Sequence, residues 1–265
     1  MSRVIPGILM ALCWFLLLFL GSPVLFWIAA VCCGALALHE FFRMVCPSLD
    51  GRRIYASICA CLLPLLMVAQ GRADLLMPGL MAGLLLVIGI ALQGYGKIED
   101  AWRYLSCAGF AGLYISAALA HLVLMRFLPQ GPTFLALLIA MIAGSDTGAY
   151  YAGRAFGRRR LFPSISPKKT VAGGIGGVFA GLVAVALVNW LTPSHCDPLR
   201  LILAAAVLIV IGIAGDLTES LIKRSVGVKD SGSVLSAHGG LMDRIDSLLL
   251  AGPVFFYLLH FGLLS

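Results

Sequence analysis

Charge is what this chain has least of. Only 12% of its 265 residues are Asp, Glu, Lys or Arg, against about 25% in an ordinary soluble domain. That shortage excludes a water-exposed globule, as do the 61% hydrophobic content and the mean hydropathy of +1.01. Long alternation of polar and apolar residues is missing too, which excludes an outer-membrane barrel. No polar stretch is long enough to act as a linker. The chain therefore reads as a single integral-membrane unit, with N-terminal transmembrane helices over 1–130 and further helices with cytoplasmic loops over 131–265. The eight cysteines include no CxxC pair and lie mostly in oily segments. They read as small buried hydrophobes rather than zinc ligands or disulfides. His121, His195 and His260 show no ligand spacing, and no Gly-rich segment ends in the GK[ST] of a P-loop.

What is there is a series of apolar runs. A membrane span needs about 20 residues, fewer if short or re-entrant. Nine candidates follow: 7–20, 23–42, 54–70, 75–93, 105–125, 132–153, 171–190, 200–222 and 246–264. The expected fold is an all-α, polytopic transmembrane bundle. With the N-terminus in the cytoplasm, sixteen of the nineteen Lys and Arg fall on the cytoplasmic side, as the positive-inside rule requires. Only Arg72, Arg126 and Arg200 fall on the other. The net charge of +7 is then a cytoplasmic feature, suited to anionic headgroups and nucleotides. Localisation in a bacterial inner membrane, with the chemistry facing the cytoplasm, is the expectation.

The scarce charges cluster. Polar groups are costly in or beside lipid, so a cluster is a functional-site candidate. In Gly215–Arg224 the residues Asp216, Glu219, Ser220, Lys223 and Arg224 follow helical spacing and share one face. A solvated helix end with i,i+4 pairs suits Arg224; it suits Asp216 poorly, since that residue follows directly on an apolar run. Asp243 and Asp246 are a turn apart at the start of the last span. One of them could be no more than a helix-start acid, yet together, opposite Asp216, they offer the hard oxygen ligands that Mg²⁺ prefers. Between the two acid groups lie Lys229, Asp230 and His238-Gly239-Gly240. The histidine could contact phosphate or transfer a proton, or be structural. Asp146 sits in an otherwise apolar helix, either as an interhelical partner or as a site residue. Lys168, Lys169 and Thr170 precede the seventh span, where their donors and the helix dipole could converge on an anion. Gly173, Gly174, Gly176 and Gly177 suit close helix packing. Glu40 could complete the polar site or pair with a basic residue.

These residues resemble a known signature. Ser220, Lys223-Arg224, Lys229-Asp230, His238-Gly239-Gly240 and Asp243-Arg244-Ile245-Asp246 stand at the spacing of the phosphatidate cytidylyltransferase family, also called CDP-diacylglycerol synthases. Ser145–Tyr150 and Ser164–Thr170 look like two further family elements. The likeness is strong over about residues 140–250; the N-terminal half is similar only in hydropathy and in Glu40. Ser236 stands where the family usually has Pro or Gly. The resemblance implies that CTP and phosphatidate react to give CDP-diacylglycerol and pyrophosphate. By the same resemblance Asp216, Asp243 and Asp246 are metal-site acids, with Mg²⁺ as the divalent ion and K⁺ associated with it. Lys168, Lys169, Lys223, Arg224 and Lys229 would bind phosphates, supported by Asp146, Ser220 and His238. Asp216, Lys223, Asp243 and Asp246 would carry the catalysis. The implied partners are CTP, phosphatidate, membrane lipids and a second copy of the chain, without nucleic acid. A CDP-alcohol phosphotransferase lacks support, because Asp243 and Asp246 do not have its spacing. A membrane transporter of an ion or organic anion is the alternative from another class, and it would place its charges near the bilayer midplane.

Overall fold

The computed structural model describes residues 14–192, 194, 196–232 and 240–264. Helix α1 is Pro23–Val45, α2 is Gly51–Met67 and α3 is Leu76–Gln93. Helix α4 runs over Ala101–Phe127, and α5 over Gly131–Phe156. A two-stranded antiparallel hairpin follows, β1 Arg160–Phe162 and β2 Ser166–Thr170. Helices α6 (Val171–Leu191), α7 (Pro198–Ser225) and α8 (Met242–His260) complete the chain. Among the described residues, six of these helices are long and apolar enough to cross a membrane: α1, α4, α5, α6, α7, and α3 with the short turn before it. The protein is an all-α polytopic membrane protein. Eight of the nine expected spans match α1 to α8 within a few residues. Half of the first, 7–20, lies outside the described residues; 14–19 are helical.

Helix starts follow local chemistry. Ser22, Asp50, Asp100, Thr170 and Asp197 each accept a backbone N–H from the first turn that follows, which satisfies donors a helix cannot satisfy itself. Helix α8 differs, because its N-cap is Leu241 and offers no side-chain acceptor.

Packing is built on close backbone approach. A Cβ on Gly148 of α5 would come within 2.6 Å of the Gly176 carbonyl oxygen of α6. One on Gly177 would come within 2.9 Å of the Ser145 oxygen. Those glycines therefore serve helix contact, as expected. Gly174 has open space before it and borders a cleft described below. Helix α4 is the most enclosed span, and Gly112–Ala117 within it is π-helical, a local widening common near functional sites. By contrast Leu85, Phe179, Trp190, Leu203 and Val207 are exposed on outer helix faces. Exposed apolar area on this scale is normal only against lipid.

The bundle has two distinct ends. At one, Arg126 donates to the Gly21 carbonyl and the Asp197 amide to Leu264. At the other, the end of α1, the hairpin, the end of α7 and the start of α8 come together. That second end holds the acids and lysines singled out above.

Candidate active site

Helix α7 carries the site between two neighbours. On one side, Lys169 of β2 reaches across so that its Nζ sits 2.6 Å from Asp216 Oδ2. Ser220, one turn on, donates to Asp216 Oδ1 at 3.4 Å. On the other side, Lys223 donates to Glu219 Oε2 at 3.1 Å and to Asp243 Oδ1 of α8. The shared face expected for Asp216, Glu219, Ser220 and Lys223 is thus used twice. Asp216 and Ser220 lie toward the hairpin, and Glu219 and Lys223 toward α8.

Beside Asp216 opens a cleft of about 640 Å³ between α5, the hairpin and the start of α6. Arg154, Arg160, Lys168 and Lys169 line it together with Asp146 and Asp216. The four cations suit an anion, whereas the two carboxylates would repel it unless a cation stood between them. Lys168, Lys169 and Thr170 line the cleft beside the start of α6. The Thr170 hydroxyl, however, already accepts the Gly173 amide at 3.0 Å as the helix cap. Lys168 and Lys169 sit on a strand, because Ser166–Thr170 pairs with β1.

On the other flank the acids concentrate. Asp246 is 9% exposed and accepts the Ser247 amide at 2.6 Å. It is held close to Glu219, and it feels the charges of Asp216 and Asp146 as well. Glu219 is 1% exposed, and among the described residues its Oε1 has no hydrogen-bond partner. Asp243 is fully engaged: Lys223 holds one oxygen, while the other accepts Ser231 Oγ at 3.0 Å, the Gly240 amide at 2.9 Å and the Ser231 amide at 3.4 Å. Two groups here were not singled out from sequence as site residues with these partners. Tyr114, in the π-helical turn of α4, donates to the Gly215 carbonyl at 3.2 Å, one residue before Asp216. Glu40 accepts the amides of Leu241 and Met242, each at 3.0 Å. Arg224 is exposed and leans toward the carbonyls of Ile165 and Val228. Lys229 is exposed two residues before Ser231. His238, Gly239 and Ser236 lie outside the described residues.

A divalent cation fits this donor set. Among the described residues no three Asp, Glu, His or Cys side chains are grouped tightly enough to hold a metal by themselves. Mg²⁺ does not need such a cage, since it is commonly held by one or two carboxylates together with substrate phosphates. The unpartnered, buried oxygen of Glu219 beside Asp246 is the kind of hard ligand it takes, and an unsatisfied buried polar atom in a native fold calls for such an explanation.

Fold and site together define a membrane-embedded protein with a phosphate-sized cleft at one end of its bundle. The model of the cytidylyltransferase family matches residues 1–262. The chain is 33% identical over 265 residues to the phosphatidate cytidylyltransferase of Bacillus subtilis, covering 97% of both chains. It is 38% identical over 168 residues to that of Pseudomonas aeruginosa, covering 63% of this chain and 61% of that one. To that of Haemophilus influenzae it is 42% identical over 141 residues, covering 51% and 49%. The protein belongs to the cytidylyltransferase family.

Proposed function

We infer that the protein transfers a cytidylyl group from CTP to phosphatidate, giving CDP-diacylglycerol and pyrophosphate for phospholipid synthesis. The observation that carries this reading is the cationic cleft opening onto Asp216 at one end of a membrane bundle. It has room for a nucleotide's phosphates and lies next to lipid. In the reaction an oxygen of the phosphatidate phosphate forms a bond to the α-phosphorus of CTP. The bond from that phosphorus to the β-phosphate's bridging oxygen breaks, and pyrophosphate leaves with the electron pair. The nucleophile is already ionised near neutral pH, so no strong general base is required. What the protein must supply is alignment and charge compensation.

Lys168, Lys169, Arg154 and Arg160 hold the triphosphate. Asp216 fixes the ammonium of Lys169, which keeps that donor at the inner end of the cleft. Lys223, Arg224 and Lys229 take phosphate oxygens on the α8 side, and Ser220 and His238 support them. Asp146 lines the cleft beside Asp216 and meets the bound substrate there. One or two of the acids Asp216, Asp243, Asp246 and Glu219, together with substrate phosphates, would hold Mg²⁺. Such an ion, when bound, neutralises phosphate charge and orients the attacked phosphorus. In this reading the active end faces the cytoplasm of a bacterial inner membrane, because that end gathers most of the basic residues. Bilayer lipids flank the apolar faces, and a homodimer rests on the family resemblance alone.

The test is pyrophosphate release from CTP by purified protein. Release that requires both phosphatidate and Mg²⁺ supports the reading. Release independent of phosphatidate, or none under any lipid condition, overturns it. Nothing in the fold favours a transporter: the charges cluster at helix ends rather than near mid-helix.

A further inference from the structure

The start of α8 carries Asp243 and Asp246, yet its own N-cap, Leu241, has no acceptor to offer. The first amides of a helix must find acceptors somewhere. Here they find them on α1, about two hundred residues away. Glu40 Oε1 accepts the Leu241 amide and Oε2 the Met242 amide, each at 3.0 Å. Glu40 is only 3% exposed, so its carboxylate is committed to these donors.

The same carboxylate touches the chain on both sides of residues 233–239. A Cβ on Gly232 would lie 2.7 Å from Glu40 Oε1, and one on Gly240 would lie 2.6 Å from Oε2. Only glycine lets the backbone approach so closely. Ser231 links Glu40 to the site directly. Its hydroxyl lies 3.3 Å from Glu40 Oε2 and 3.0 Å from Asp243 Oδ2, and its single proton can serve one of them at a time. From Asp243 the connection continues through Lys223 to Glu219.

We propose that Glu40 is a positioning residue: from α1 it clamps the first turn of α8 and Ser231, and so sets Asp243 and Asp246 against α7. It rests on the function proposed above. The cationic hairpin on the other side of α7 does not touch Glu40. Loss of the clamp should therefore spoil the chemical step more than CTP capture. The conservative variant Glu40→Asp keeps the charge one methylene short, whereas Glu40→Gln turns an amide donor toward the α8 amides.

Two measurements on the purified full-length protein test this. The first is hydrogen–deuterium exchange, which needs no activity. In Glu40→Gln the amides of residues 241–246 should exchange faster, while those of residues 160–170 stay as in wild type. Unchanged exchange over 241–246, or equal loosening in both segments, overturns the clamp. The second is steady-state kinetics, normalised to the number of CTP-binding sites so that misfolded protein does not count. Glu40→Gln should lower kcat by about tenfold or more, a loss typical of misplaced reacting groups. It should move KM for CTP by less than about threefold, because Arg154, Arg160, Lys168 and Lys169 of the cleft are untouched. Glu40→Asp should recover part of the loss, and it carries the same comparison if Glu40→Gln does not purify. An unchanged kcat per site with only a lower Tm would make Glu40 a purely structural cap and overturn the proposal. A wild-type protein without phosphatidate-dependent turnover would sink the proposed reaction instead, and the exchange experiment would still decide the clamp.

Discussion

Replacing Lys223 by alanine should destabilise the protein more than any other single charge deletion at the site. Its ammonium serves Glu219 and Asp243 together, and its side chain is 12% exposed. Asp243 would keep its donors from Ser231 and Gly240. Glu219 would not be so fortunate, because its Oε1 is already unpartnered and the whole residue is buried. Removing one member of a buried ion pair costs about 3–5 kcal/mol, since it strands the other charge. At roughly 2–4 °C per kcal/mol for a chain of this order of size, Tm should fall by about 6 °C at least. The assay is thermal unfolding in detergent without added divalent cation, which would otherwise mask the effect by binding the folded state. The double variant Lys223→Met with Glu219→Gln removes the stranded charge and should regain more than half of the lost Tm, while turnover stays abolished. A Tm for Lys223→Ala within about 1 °C of wild type, or no recovery in the double variant, would refute the reasoning.

Other outcomes follow from the same geometry. Asp216→Asn and Asp246→Asn should each lower turnover by about 100-fold or more, equivalent to about 2.7 kcal/mol of lost transition-state stabilisation, while still purifying as folded protein; retained turnover in both would remove the metal assignment. Lys169→Ala should raise KM for CTP with little change in Tm, because its pair with Asp216 is partly exposed and such pairs contribute under about 1 kcal/mol. Gly148→Leu should push α5 and α6 apart and lower Tm by several degrees, since the new side chain meets the Gly176 backbone and overpacking of this kind costs about 1–3 kcal/mol; an unaltered Tm would mean that the two helices are free to separate.

The spans were legible because lipid imposes a coarse rule: some twenty apolar residues and internal satisfaction of every backbone group. The face shared by Asp216, Glu219, Ser220 and Lys223 was legible because helical spacing is local. What the face contacts was not. Lys223 to Asp243 is a jump of twenty residues, and Lys169 to Asp216 a jump of forty-seven; nothing in periodicity says which acid each lysine meets. The hairpin was hidden because Arg160–Phe162 and Ser166–Thr170 are short and polar, and Pro167 within β2 argues against a strand by local propensity. Glu40 stood out as an acid at an oily helix end, yet its partners are backbone amides of α8, which no side-chain pattern announces. Tyr114 gave no signal at all, since one tyrosine in an apolar run looks like core until α4 widens around it.

The most direct test of the proposed chemistry is to follow the phosphates of CTP separately. With phosphatidate and Mg²⁺ present, label from the α-phosphate should appear in a lipid product, and label from the γ-phosphate should appear in pyrophosphate. Label from the γ-phosphate in lipid would mean a kinase, and no lipid label from either position would contradict cytidylyl transfer altogether.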